Sequence, residues 1–130
     1  MADPSFGLWP PGAGGSTPST QLTPVAAVLL RLGTGTEAIQ AQIGADDNFS
    51  GLVVNDVGDY TLQIAPESPL ANGSSDACYL VAHVNDFACR ICNVIPILPS
   101  NEISVNVFDA AGARAACGRL SIVVWYGTPV

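Results

Sequence analysis

The side chains of this sequence that are best suited to chemistry are its four cysteines, Cys78, Cys89, Cys92 and Cys117. Cys89 and Cys92 have the spacing found in zinc sites and in redox motifs. A structural zinc site usually needs a second close pair, and no βαβ pattern surrounds the motif as it does in thioredoxins. We therefore predict that the cysteines are small buried apolar residues, with a disulfide as the first alternative and a metal site as the second. Four cysteines allow three pairings, and the sequence does not choose among them.

Carboxylates occur in two short clusters, which could hold calcium or act as a catalytic pair. Asp46 and Asp47 precede Asn48, and Asp56 lies close to Asp59. Such oxygens bind calcium, and paired acids hydrolyse glycosides. Because Asp and Asn are also common in turns, we interpret both clusters as turn residues.

The motifs of the common enzyme classes are missing from this sequence. The single histidine, His83, lies in the apolar run 79–84 (YLVAHV), where a histidine usually has a structural role. There is no nucleophile elbow and no HExxH motif, and residues 33–36 (GTGT) lack the lysine and helix of a phosphate-binding loop. We therefore expect no enzyme activity, no cofactor and no bound metal.

The charge and the hydrophobicity of the chain limit the classes of partner that it can bind. The chain has 130 residues, the size of one domain, with four basic residues, all arginine, against eleven acids and a net charge of −7. Such a charge argues against nucleic acids and anionic membranes as partners. Only 12% of residues are charged while 48% are hydrophobic, which is apolar for a small soluble monomer. This balance favours an oligomer.

No segment has the pattern of a membrane span or a secretory signal. The longest uncharged stretch, residues 4–30, contains five prolines. A basic region followed by an apolar core, as in a signal peptide, is not found at the start. We therefore expect synthesis in a cytoplasm.

Residues 1–24 are predicted to form an extended arm, because they are rich in Pro, Gly, Ser and Thr. The arm carries Phe6, Leu8 and Trp9, which are costly to leave in water. One interpretation is a leader that folds back on its own domain. The other is an anchor that docks on a partner through these three side chains.

Residues 25–130 are predicted to form an all-β domain of about eight short strands, an antiparallel β-sandwich or jelly roll. Alternating apolar and polar residues with frequent turn signals carry this prediction. We read residues 110–116 as the loop of a hairpin. The predicted strands are residues 25–32, 38–43, 49–54, 60–64, 79–84, 89–97, 103–107 and 120–126.

Phe108, Val123 and Trp125 are candidates for a second buried surface. Their positions in the alternation place them opposite the core-facing residues of what look like adjacent strands. Large apolar side chains on an outer face suggest subunits packed around a symmetry axis. The alternative is that the arm of the same chain covers Trp125.

Three segments carry a resemblance to a known family. Residues 57–62 (VGDYTL), 103–112 (ISVNVFDAAG) and 119–127 (RLSIVVWYG) occur in this order. They resemble the C1q/TNF-like jelly roll of bacteriophage tail-fibre tips and capsid decoration proteins. The resemblance spans roughly residues 55 to 127. Residues 68–99 have no counterpart, and the chain lacks the shaft of a complete fibre.

The resemblance implies a homotrimer without catalytic activity. It would bury Phe108, Val123 and Trp125 between subunits and leave Phe6, Leu8 and Trp9 free to dock on the major capsid protein. The expected function is that of a phage virion structural protein, a decoration or cement protein on the capsid surface, made in the host cytoplasm.

Two other functions stay open at this point. One is a receptor- or glycan-binding tip of a tail fibre or head fibre, although the small acidic loops of the domain weaken it. The other is a cellular adhesion or carbohydrate-binding module, against which the missing signal peptide counts.

Overall fold

The computed structural model describes residues 20–44, 48–86, 88 and 90–129, which form two four-stranded antiparallel sheets. Two single-turn 3-10 helices, Ser75–Ala77 and Leu98–Ser100, are the helical elements of this part of the chain. The strands are β1 (Thr20–Arg31), β2 (Ala38–Gly44), β3 (Phe49–Asp56), β4 (Asp59–Ile64), β5 (Cys78–Asn85), β6 (Arg90–Ile97), β7 (Glu102–Asp109) and β8 (Arg119–Pro129).

The strand order is β2-β1-β8-β5 in the first sheet and β3-β4-β7-β6 in the second. The pairs β1–β2, β3–β4 and β6–β7 are consecutive in the chain, whereas β8 lies between β1 and β5. All eight predicted strands overlap an observed strand, and the predicted antiparallel β-sandwich is confirmed.

The core consists of the inward-facing residues of both sheets. Along β4, β7 and β8 every second residue is buried, as the alternation in the sequence predicts. Burial of each large aliphatic side chain contributes about 1.5–3 kcal/mol. The buried residues of these three strands are Tyr60, Leu62, Ile64, Ile103, Val105, Val107, Leu120, Ile122 and Val124.

Strand β1 begins at Thr20, inside the segment predicted as the arm. Its first residues pair with the end of β8, from Thr20 opposite Pro129 to Pro24 opposite Trp125. Pro24 has no N–H to donate, and the register shifts between Pro24 and Ala26, where a bulge accommodates it. Phe6, Leu8 and Trp9 lie outside the described residues.

The segment 110–116 is a loop that turns back on β7, as the hairpin prediction expects, because Phe108 forms an antiparallel bridge with Arg114. The prediction is wrong in one respect, since the loop does not join β7 and β8 as neighbours in one sheet. The loop connects β7 in the second sheet to β8 in the first. Gly112 has a φ of +86°, and the Asp109 carboxylate accepts hydrogen bonds from the backbone N–H groups of Ala111 and Ala113. Such a turn lets the chain leave one sheet and enter the other, and no local pattern distinguishes it from a hairpin turn.

The turn between β3 and β4 is fixed from inside the sandwich. The Gly58 N–H donates to the hydroxyl of buried Tyr60 at 3.2 Å, and that hydroxyl donates to the Leu32 carbonyl of the first sheet at 3.3 Å. Burial raises the pKa of Tyr60, so the phenol stays protonated. This chain of contacts ties the two sheets together at one end.

Candidate functional site

The outer face of the first sheet is apolar where an outer face is normally polar. Ile43, Ala27, Val123 and Val81 lie in one row across β2, β1, β8 and β5. Ile43 is 72% exposed and Val81 is 59% exposed. Antiparallel sheets usually present polar residues to water on their outer side. This exposed apolar row is therefore a candidate contact surface.

Adjacent rows extend this surface in both directions. Two residues further along β8, Trp125 lies between Pro24 and Tyr79, and Tyr79 is 51% exposed. In the other direction Leu29 and Ser121 lie side by side. We call the outward residues of these three rows the apolar sheet face; they are Pro24, Ala27, Leu29, Ala41, Ile43, Tyr79, Val81, His83, Ser121, Val123 and Trp125.

A shallow cavity of about 160 Å³ lies at the β1–β2 side of this face. Its walls include Pro24, Val25, Ala27, Ile43 and Val123, all of them apolar. The cavity adjoins the β1 bulge, where the shift in register interrupts the regular surface of the sheet. It provides a recess into which an apolar side chain of a partner can fit.

Two of the three predicted interface residues, Val123 and Trp125, lie on the apolar sheet face. The prediction that Phe108 lies on an adjacent strand is wrong, because β7 and β8 belong to different sheets. Phe108 lies on the second sheet, where the Arg114 guanidinium stands 5.6 Å from the centre of its ring. Part of its exposed surface is therefore covered by its own chain.

Strand β6 presents a second apolar surface that sequence reasoning missed. Ile91, Ile95 and Ile97 are exposed on the outer side of this edge strand, and Ile91 is the partner of Phe108 on β7. We call these three residues the isoleucine stripe. The signal lay in residues 90–97 (RICNVIPI), which are apolar on both faces of the strand. Strands β5 and β6 pack against each other at one side of the sandwich.

The environments of the three described cysteines are those of structural residues. Cys78 and Cys117 are buried, Cys92 is half-buried, and all three are free thiols, while Cys89 lies outside the described residues. Burial raises the pKa of the Cys78 thiol to about 11, and burial together with the charge of Asp86 raises that of Cys117 to about 11. Such thiols are poor nucleophiles and poor metal ligands at neutral pH.

The described acidic residues that were singled out from the sequence have local partners, and His83 lies apart from them. Asp56 accepts a hydrogen bond from the Val57 N–H, and Asp59 lies 3.7 Å from Arg114, while Asp46 and Asp47 lie outside the described residues. His83 is exposed on the outer side of β5. No group of three metal-ligating side chains occurs among the residues that the structure describes.

No helix in the described part of the chain is both long and apolar enough to span a membrane. Comparisons of the chain with protein-family models, curated proteins and solved structures found no match.

Proposed function

We propose that this chain is a structural protein of a virus particle, a bacteriophage capsid decoration protein that assembles as a homotrimer. The observation that carries the proposal is the apolar sheet face, with Ile43, Val81 and Tyr79 each more than half exposed. The sandwich would be of the jelly-roll type. In support, the first and last strands, β1 and β8, are neighbours at the centre of one sheet.

A second copy of the chain is the occupant that best suits this face. Four strands about 4.8 Å apart and three rows of residues span roughly 300 Å², which is the size of the largest apolar patch of a typical monomer, and such a patch is often functional. The three rows carry no arginine and no carboxylate, so they offer nothing to a charged partner. A second copy of this chain, in which only 12% of the residues are charged, presents the same apolar surface.

The isoleucine stripe favours a ring over a two-fold dimer. A stable interface buries about 800 Å² on each partner, more than the flat area of the apolar sheet face alone. The stripe lies on the other sheet, next to the strand that carries Val81 and Tyr79. A face on one copy that packs against an edge on the next is a heterologous contact, and such contacts form a ring when the rotation between copies closes.

The virion assignment rests on the resemblance and on the arm. The three segments that resemble phage fibre-tip and decoration proteins overlap β4, β7 and β8, three of the four inner strands of the two sheets. Nineteen residues precede β1, among them Phe6, Leu8 and Trp9. In this proposal these side chains dock on the major capsid protein, and three arms on one trimer bind with avidity.

The assembly surface is tested with a matched pair of variants. Val81→Asp places a carboxylate on the apolar sheet face, where an interface would have to desolvate it. Val53→Asp makes the same change on the outer side of β3 in the second sheet, where the valine is 39% exposed. Light scattering should show dissociation for the first variant and the native mass for the second. Equal masses for both variants would contradict the proposed interface.

Capsid docking is tested with a chain that lacks residues 1–19. The deletion stops before Thr20, so all of β1 is retained. We expect a truncated chain with unchanged mass and circular dichroism that no longer sediments with phage heads lacking their decoration protein. Full occupancy of those heads by the truncated chain would contradict an arm-mediated function.

A further inference from the structure

The four arginines of the chain fall into two different groups. Arg90 donates to the Ala116 carbonyl at 2.9 Å, and Arg114 contacts Asp59, Asn106 and the Phe108 ring. The side chains of Arg31 and Arg119, in contrast, make no hydrogen bond or ion pair with any residue in the described ranges. Two of the four arginines therefore have no counterion among the described residues of this acidic protein.

The register places these two arginines directly opposite each other. Arg31 on β1 is the partner of Arg119 on β8, and Asn85 on β5 is the next residue along this row. Both arginines are exposed on the outer side of the first sheet. Like charges that face each other across two strands are destabilising, so the pair costs stability unless an anion lies between the guanidinium groups.

A cavity of about 350 Å³ lies on the β5 side of Arg119 and is lined by Asn85, Asp86, Gly118 and Arg119. Its volume is within the range of small-molecule sites. Asp86 is the acid in this wall, and its carboxylate already accepts hydrogen bonds from the backbone N–H groups of Ala88 and Gly118. With two arginines against this one carboxylate, the end of the sheet carries a net positive charge.

We propose that this end of the first sheet binds a carboxylate-bearing ligand of about the size of a monosaccharide. The planar guanidinium of Arg119 can bind a carboxylate in a bidentate arrangement, and Arg31, its partner in the register, adds a second positive charge. The Asn85 amide, which lines the same cavity, can bind hydroxyl groups of the ligand.

This site shares no residue with the proposed assembly surface. The Arg119 row lies two residues beyond Ser121, the nearest row of the apolar sheet face, which corresponds to about 7 Å along β8. It lies beyond the three rows of the apolar sheet face, at the end of the sheet away from Trp125. The ligand site and the assembly surface can therefore fail or succeed independently.

The test is a titration of the full-length protein with D-glucuronate, followed by amide chemical shifts in NMR, with D-glucose as the uncharged probe. We expect saturable shifts at Asn85 and Gly118 with glucuronate and none with glucose. Arg119→Gln should weaken glucuronate binding at least tenfold. Arg114→Gln, which removes the same charge from the second sheet, should change it less than twofold.

Three outcomes would overturn the proposal: no saturable shift with glucuronate, an equal response to glucose, or equal losses in the two variants. Light scattering on the same samples separates this result from the proposed function. A monomer that binds glucuronate would contradict the trimer and leave the ligand site in place, whereas a trimer without binding would do the reverse.

Discussion

The replacement Gly58→Ala tests the turn that ties the two sheets together. Gly58 has a φ of +77°, a conformation that an L-residue adopts only with strain. A Cβ at this position would lie 2.6 Å from the Val107 carbonyl oxygen and 2.8 Å from the Ala115 nitrogen. Those two atoms are hydrogen-bonded to each other at 3.0 Å, and the Val107 N–H donates to the Gly58 carbonyl at 2.9 Å. The backbone around the new methyl group therefore cannot move without loss of these bonds.

The expected cost follows from three contributions. The left-handed conformation costs an alanine about 1–2 kcal/mol, and each disrupted hydrogen bond adds about 0.5–1.5 kcal/mol. The lower entropy of the unfolded alanine chain offsets about 0.4–1 kcal/mol. We expect Gly58→Ala to lower the free energy of unfolding by about 2–4 kcal/mol.

Gly35→Ala is the matched control. Gly35 has a φ of +80°, but no atom lies within 4 Å of its added Cβ. This variant therefore experiences the conformational strain without the collision, and we expect a loss of about 1 kcal/mol. Urea denaturation at one fixed protein concentration measures both variants. Equal losses in the two variants would refute the reasoning, because they would show that the contacts with Val107 and Ala115 carry no energy.

Two further predictions concern buried polar groups. Tyr60→Phe removes the hydroxyl between Gly58 and Leu32 and should lower the free energy of unfolding by about 1–3 kcal/mol. The control Tyr79→Phe, on the exposed face, should leave the free energy of unfolding from urea denaturation unchanged within about 0.5 kcal/mol. Equal effects of the two variants would contradict the role of the buried hydroxyl. The thiols of Cys78 and Cys117 have a pKa of about 11 in the fold, above the ordinary value of 9.0, so the folded state keeps protons that the unfolded state releases. The free energy of unfolding should therefore be constant below pH 9 and fall between pH 9 and pH 11, by on the order of 2 kcal/mol per thiol. Urea denaturation of a Cys78→Ala/Cys117→Ala variant should show a smaller fall over this pH range. The same dependence on pH in the variant and the native chain would contradict the prediction.

Local pattern was sufficient to predict the strands, because a strand with one buried face alternates in the sequence. Residues 60–64 and 103–107 illustrate this, since every apolar position in them is buried. Neither the arm boundary nor the sheet partners could be read in the same way. The composition of residues 1–24 predicted an arm up to Pro24, yet the bulge at this position lets β1 extend back to Thr20.

Sheet membership depends on contacts that are distant in the chain. Phe108 and Trp125 lie on strands that follow each other, and consecutive strands are usually neighbours. Here the chain crosses from one sheet to the other between them, so one predicted surface becomes two. The Arg31–Arg119 pair was invisible for the same reason, because 88 residues separate two side chains that lie opposite each other.

The native mass of the full-length chain, measured by light scattering during size-exclusion chromatography, tests the central claim most directly. A homotrimer that covers the apolar sheet face predicts about 40 kDa, three times the chain mass of 13.3 kDa. A stable mass of 13.3 kDa over a wide range of concentrations would contradict the assembly, and a mass of two chains would contradict the ring.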